Sequence, residues 1–94
     1  MVKHIVLYTF KEGVDKEEAV EIMSSSLESL LGRISGMSWM EVNAVHHGGM
    51  DCALYSEFDS KQALSDYQKH PLHLAAKEKF KDSIAERYCA DYEY

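Results

Sequence analysis

Val2-Lys-His-Ile-Val-Leu-Tyr-Thr-Phe10 limits the fold more than any other stretch of the chain. It is rich in β-branched and aromatic residues and ends before Lys-Glu-Gly, a pattern that predicts a strand. Alternation puts His4, Val6, Tyr8 and Phe10 on one face and Lys3, Ile5, Leu7 and Thr9 on the other. Both faces carry apolar residues, so both have to be covered. The chain has 94 residues, enough for one core and no second, so residues 1–94 are read as a single domain. In so small a protein, helices take one face of such a strand and a partner takes the other.

The remaining periodicities supply those helices. Asp15 followed by Glu18 has the form of a capping box. After it, Ala19, Met23, Leu27, Leu30, Leu31 and Ile34 recur at helical spacing, opposite Glu17, Glu21 and Glu28. Gly32 and Gly36 bracket the exit. Met37 to His46 alternates as a second strand, irregular at its start. His47 to Asp51 is a turn, and Cys52 to Phe58 is a third strand, which makes a hairpin. Asp59 is the predicted cap of a second helix, with Gln62 three residues on, and Arg87 to Glu93 is the fourth strand. The order is βαββαβ, an α+β, ferredoxin-like arrangement with a four-stranded antiparallel sheet and both helices on one face. The bare face, with Ile5 and Leu7, exceeds what a monomer usually exposes and predicts a two-fold homodimer through the sheets.

Charge and composition exclude several classes of function. A net charge of -6 argues against nucleic acid or an anionic membrane as partner, since both need a concentrated basic surface. Lys77, Lys79 and Lys81 alternate with Glu78 and Asp82, the pattern of a solvated helix face. The N-terminal strand lacks the pattern of a signal peptide, and no segment approaches the roughly 18 apolar residues of a membrane helix, so a cytoplasmic location is expected. Cys52 and Cys89 lie far apart without metal-ligand spacing, and are read as reduced packing residues. His46 and His47 sit beside Gly48-Gly49 and Asp51, but adjacent histidines on an extended segment point to opposite faces and grip one ion poorly. An exposed hairpin tip is the better reading. Neither a metal nor a cofactor is expected.

The chemistry-bearing stretch is Tyr67-Gln-Lys-His-Pro-Leu-His73. Pro71 has no N–H for the carbonyl four residues before it and pushes His70 out of helical geometry. The second helix therefore breaks at His70 and restarts with Pro71 in its first turn. That break is expected to bring Tyr67, His70 and His73 together on a core-facing side.

The opening Val2-Lys-His-Ile-Val-Leu-Tyr-Thr-Phe-Lys11, the strand exit Leu54-Tyr-Ser-Glu-Phe-Asp59, the Tyr67–His73 segment and the closing Asp91-Tyr92 together resemble the stress-responsive dimeric α/β-barrel (Dabb) domain family. The resemblance covers nearly the whole chain and implies a ferredoxin-like subunit whose sheet pairs with a second copy to form a barrel. It extends distantly to a plant branch of polyketide cyclases, similar to the one that closes olivetolic acid, which run an aldol condensation with a histidine and a tyrosine and no cofactor. Carried over by position, the catalytic histidine falls on His73, the tyrosine on Tyr67 and a cavity-lining histidine on His4. A further histidine of that branch falls where this chain has Cys52.

A histidine suits such work because it titrates near neutrality and can take a proton from a carbon acid and return it. A tyrosine hydroxyl can donate to the enolate oxygen that develops. The candidate catalytic residues are thus His73 and Tyr67, with His4, Val6, Tyr8, Phe10, His70 and Cys52 as the candidate ligand pocket. Two functions fit. One is a small dimeric stress-associated domain of undefined reaction holding a small apolar or aromatic ligand. The other is a cofactor-independent cyclase, isomerase or monooxygenase. An open apolar cavity with both rings at its wall favours the second.

Overall fold

The computed structural model describes residues 1–94. Strand β1 is Val2–Phe10, helix α1 Lys16–Glu28, β2 Met37–Ala44 and β3 Cys52–Phe58. Helices α2 (Lys61–Lys69) and α3 (Pro71–Glu78) follow, then a 3-10 turn, Lys81–Ser83, and β4, Ile84–Glu93. The four strands form one antiparallel sheet in the order β2-β3-β1-β4. This is the ferredoxin-like βαββαβ arrangement, with the second helix broken in two. No helix is long and apolar enough to cross a membrane.

The parity of β1 decides which face meets the helices. Val2, His4, Val6 and Tyr8 are buried, while Lys3, Ile5 and Leu7 are only half-buried. The buried set joins Cys52, Leu54 and Phe58 of β3 and Met40 and Val42 of β2. From above, Met23, Leu27, Leu30, Ile34, Leu64, Tyr67, Ala76 and Phe80 close the core. The opposite sheet face stays open, with Ile5, Leu7, Tyr55 and Ala90 in one patch and Trp39, Tyr88 and Tyr92 around half exposed.

Strand β4 at the sheet edge is exposed along nearly its whole length. Its register places Arg87 opposite Tyr8, Cys89 opposite Val6 and Asp91 opposite His4, so these three lie on the helix side where no helix covers them.

Several boundaries differ from the sequence reading. The cap of α2 is Ser60, whose hydroxyl accepts from Ala63 N at 3.1 Å. Asp59 instead gives its backbone N–H to Gly36 O at 2.8 Å, and Gln62 reaches Asp66 at 2.8 Å rather than returning to the cap. Strand β4 begins at Ile84, three residues early, because Phe10 pairs with it beyond a register shift at Thr9. Strand β2 ends at Ala44, short of His46, and its expected irregular start is a register shift between Met37 and Trp39. His46 and His47 are exposed at the hairpin tip. Cys52 is fully buried as expected, but Cys89 is exposed, since its strand is the uncovered edge.

Gly36 fixes where α2 starts. Its φ is +84°, and a Cβ there would sit 2.6 Å from Ala63 Cβ. Gly32 has φ +87° with open space around it. G32A is therefore expected to cost about 1–2 kcal/mol from backbone strain alone. G36A adds a clash inside packed structure and is expected to cost at least ~2 kcal/mol. Urea denaturation of both variants checks this, and equal stabilities would show that the Gly36–Ala63 approach constrains nothing.

Candidate active site at the broken helix

The helix break builds the site through its unpaired backbone groups. Tyr67 O lacks its helical donor because position 71 is proline, and it accepts instead from His70 N at 3.0 Å. Leu72 N would ordinarily bond Gln68 O. It is taken at 3.1 Å by the Nδ1 of His70, which caps α3. Gln68 O is thereby released, and the ring of His73 reaches it with Nδ1 at 3.4 Å. With its Nδ1–H donating to that carbonyl, a neutral His73 carries its lone pair on Nε2.

Tyr67 lies one turn before the break and is almost completely buried. Its ring stacks at a tilt on His73, with centroids 4.1 Å apart, and on Phe58 at 5.0 Å. His4 meets the far edge of Phe58 at 6.4 Å. The buried His4 is anchored through Nδ1 to the Asp91 carboxylate across the β1–β4 ladder. Phe58 thus ties the ring on the sheet to the pair on the helices.

These rings border a cavity of about 270 Å³ between the sheet and the broken helix. His4, Tyr8, Tyr67 and His73 line it together with Leu27, Leu54, Phe80 and Ile84, and Gln68, Lys77, Lys81 and Arg87 complete the wall. The volume lies just under the usual range of ligand pockets and suits a compact ring compound.

Burial sets the protonation states. Desolvation, with smaller contributions from Lys77, His4 and Arg87, pulls His73 down to about 4 and outweighs the bond to Gln68. The ring is therefore neutral at pH 7. Desolvation, reinforced by Tyr8, raises the Tyr67 phenol well above its ordinary value. Tyr8 is raised by burial too, against the opposing pull of Arg87. At about 4, well below the near-neutral titration expected from the sequence, His73 is free to accept a proton but is a weak base. The firmly protonated Tyr67 phenol beside it can donate a hydrogen bond.

Four of the residues expected in the pocket lie elsewhere. Val6 is sealed beneath the sheet's core. Phe10 is displaced by the register shift after Thr9, where Asp51 holds its N–H at 2.8 Å. His70 is turned away because its ring caps α3, and it borders a separate polar groove beside Ser60 and Asp66. Cys52 is buried in the core, and desolvation pushes its thiol up to about 11, an inert state. Lys77 and Lys81, read as part of a solvated face, stand at the cavity wall. Arg87 and Asp91 went unassigned because only the strand register shows that they share a face with His4 and Tyr8. The signal available in the sequence was the alternation of Arg87, Cys89 and Asp91 with Tyr88, Ala90 and Tyr92.

His4, Cys89 and Asp91 each bring a potential metal-ligand atom within 4.8 Å of the others. The direct His4–Asp91 hydrogen bond already satisfies two of the three, and Cys89 Sγ stands 3.4 Å from Asp91 and 3.6 Å from His4 Nδ1.

Residues 2–94 match the stress-responsive A/B barrel domain family. The chain belongs to that family. The stress-response A/B barrel domain-containing protein HS1 of Arabidopsis thaliana is 30% identical over 95 residues, covering 97% of this chain and 87% of its own. A crystal structure from Bacteroides fragilis, a dimeric protein of unknown function with a ferredoxin-like fold, superposes with a TM-score of 0.90. It is 34% identical and the match covers 99% of this chain and 95% of that one. The hydroxynitrile lyase of Passiflora edulis shares the fold, with a TM-score of 0.81 at 16% identity over 97% of this chain and 90% of its own.

The shift of His73 has a consequence for this A/B barrel protein in acid. The unfolded chain binds a proton at this residue near 6.5 and the folded chain only near 4. Between those values the unfolded state holds the extra proton, so stability falls as pH drops through the window. H73Q lacks that proton. Its urea midpoint is expected to fall less than the wild type's between pH 6.5 and 4, and parallel losses would show that His73 is not desolvated.

Proposed function

We propose that this A/B barrel protein is a small homodimeric acid–base enzyme that acts, with its own side chains, on an apolar or aromatic carbonyl compound. The reading is carried by the Tyr67–His73 pair, 4.1 Å apart at the wall of an apolar cavity with the imidazole held neutral. Nε2 of His73 takes a proton from the carbon beside a carbonyl. The C–H electron pair moves into the enolate, and the Tyr67 hydroxyl donates to its oxygen. The enolate then attacks a second carbonyl of the same molecule, whose oxygen becomes an alkoxide and takes the proton back from His73, as in an aldol cyclisation, or it regains the proton from His73 at another carbon, as in an isomerisation. His4, its Nδ1 engaged by Asp91, is the second ring positioned to contact the bound compound. The fold hosts a lyase in Passiflora edulis, which supports catalysis on this architecture.

Deuterium exchange into the methyl group of acetophenone, followed by NMR in D₂O, tests the proton transfer without knowledge of the natural substrate. Wild type is expected to exceed buffer, H73Q to lose about 10²–10⁴-fold and Y67F less. Tight binding of the ketone with no exchange would reduce the protein to a ligand-binding domain.

The homodimer rests on the open sheet face around Ile5, Leu7, Tyr55 and Tyr88. Burying this face stabilises the subunit by removing apolar surface from water. Light scattering is expected to give twice the 10.7 kDa chain mass. Leu7→Glu, placing a charge at the centre of the patch, is expected to give a single chain mass. A monomeric wild type would rule out pairing through the sheets.

A further inference from the structure

We propose that Lys77 and Arg87 form an anion subsite at the wall of the Tyr67–His73 cavity, so that the compound bound there is a ring system carrying a carboxylate. The inference rests on the proposed function only in sharing this cavity as the place where ligand binds.

The charge distribution is the first observation. The chain has 16 acidic and 10 basic residues, yet three of the basic ones line this single cavity and no aspartate or glutamate does. Even placement in a chain of net charge -6 would favour acids over bases there.

The pairing of those cations is the second. Lys81 is held by Glu78 at 3.0 Å. Lys77 and Arg87 enter no salt bridge; the other ion pairs are His4–Asp91, Lys16–Asp51 and Lys61–Glu93. Glu78, beside Lys77 in the chain, and Asp91, on the same face of β4 as Arg87, are already engaged, by Lys81 and by His4. Two cations on different elements, one on α3 and one on the uncovered edge strand, are left facing one cavity. Its floor is apolar, with Leu27, Leu54, Phe80 and Ile84. A ring compound on that floor leaves its carboxylate at the wall, where the planar Arg87 guanidinium can accept it in a fork and Lys77 can approach as a point charge.

The arrangement also bears on the base. The fields of Lys77 and Arg87 both reach His73 and oppose its protonation, and that of Arg87 extends to Tyr8 and Tyr67. An anion between the two cations offsets those fields, so the ligand that fits the subsite also strengthens His73 as a base. Substrate recognition and activation of the base would then share one contact.

Calorimetric titration with 2-naphthoate and its neutral analogue 2-naphthalenemethanol tests the subsite. Wild type is expected to bind the carboxylate at least about tenfold more tightly at 50 mM salt, with the preference shrinking at 500 mM. R87M and K77M are each expected to lose most of the preference while binding the alcohol as wild type does, which also shows that they fold. R33M removes a positive charge that does not line the cavity and is expected to keep the preference. Equal binding of acid and alcohol by wild type would overturn the subsite and leave the cavity standing. A preference that survives in both R87M and K77M would overturn its assignment to these residues. Failure to bind either compound would overturn the cavity as a ligand site, and the subsite with it.

Discussion

The missing N–H of Pro71 is the constraint on which the site depends. An unbroken helix would have consumed the carbonyls of Tyr67 and Gln68 in its own ladder. With proline at 71, the Tyr67 carbonyl is recovered by His70 N and Leu72 N is capped by the His70 ring. Gln68 O is the group left over, and His73 takes it. Two histidines within four residues thus have different work: one repairs the helix, and the other is fixed in orientation by what the repair leaves behind. The bond to Gln68 O, at 3.4 Å, and the tilted stacking on Tyr67, at 4.1 Å, together orient the His73 ring.

The sheet supplies the rest of the geometry. Because β1 is central, its alternation sends His4 and Tyr8 under the helices and Ile5 and Leu7 to the open face. The same two-residue period, carried across the ladder to β4, lines up Asp91 with His4 and Arg87 with Tyr8. Strand β4 lies beyond the reach of the helices, so the cavity has an apolar floor and a charged, accessible side. A sheet with one more covered strand would have sealed it.

What the sequence made legible follows the range of the forces involved. The order of elements, the parity of β1 and the helix break at Pro71 are local properties, and the structure carries all three. The pairing of Tyr67 with His73 was also legible, since both lie within one turn of the break. Membership of His70 in the cluster was not, because whether a ring caps the next helix or faces the core depends on which donor is nearer. Val6 and Cys52 share the face of His4 but lie beneath packed side chains, and parity fixes the face without fixing the depth. Arg87 and Lys77 come to the cavity from elements that meet only through strand register and helix placement, and their sequence context is that of ordinary surface charge. Lys77, Glu78, Lys79, Lys81 and Asp82 are all exposed, as a solvated face would be, and the alternating charges did not show that two of these lysines also border the cavity.

The central claim is that the helix break holds His73 as a neutral imidazole with its proton on Nδ1 and its lone pair on Nε2. Long-range proton–nitrogen correlation NMR of the histidine rings reads this directly. The expected spectrum at pH 7 shows His73 as a single neutral tautomer protonated at Nδ1, persisting until the pH nears 4. A His73 protonated at Nε2, or one that titrates near 6.5 like an exposed ring, would contradict the account.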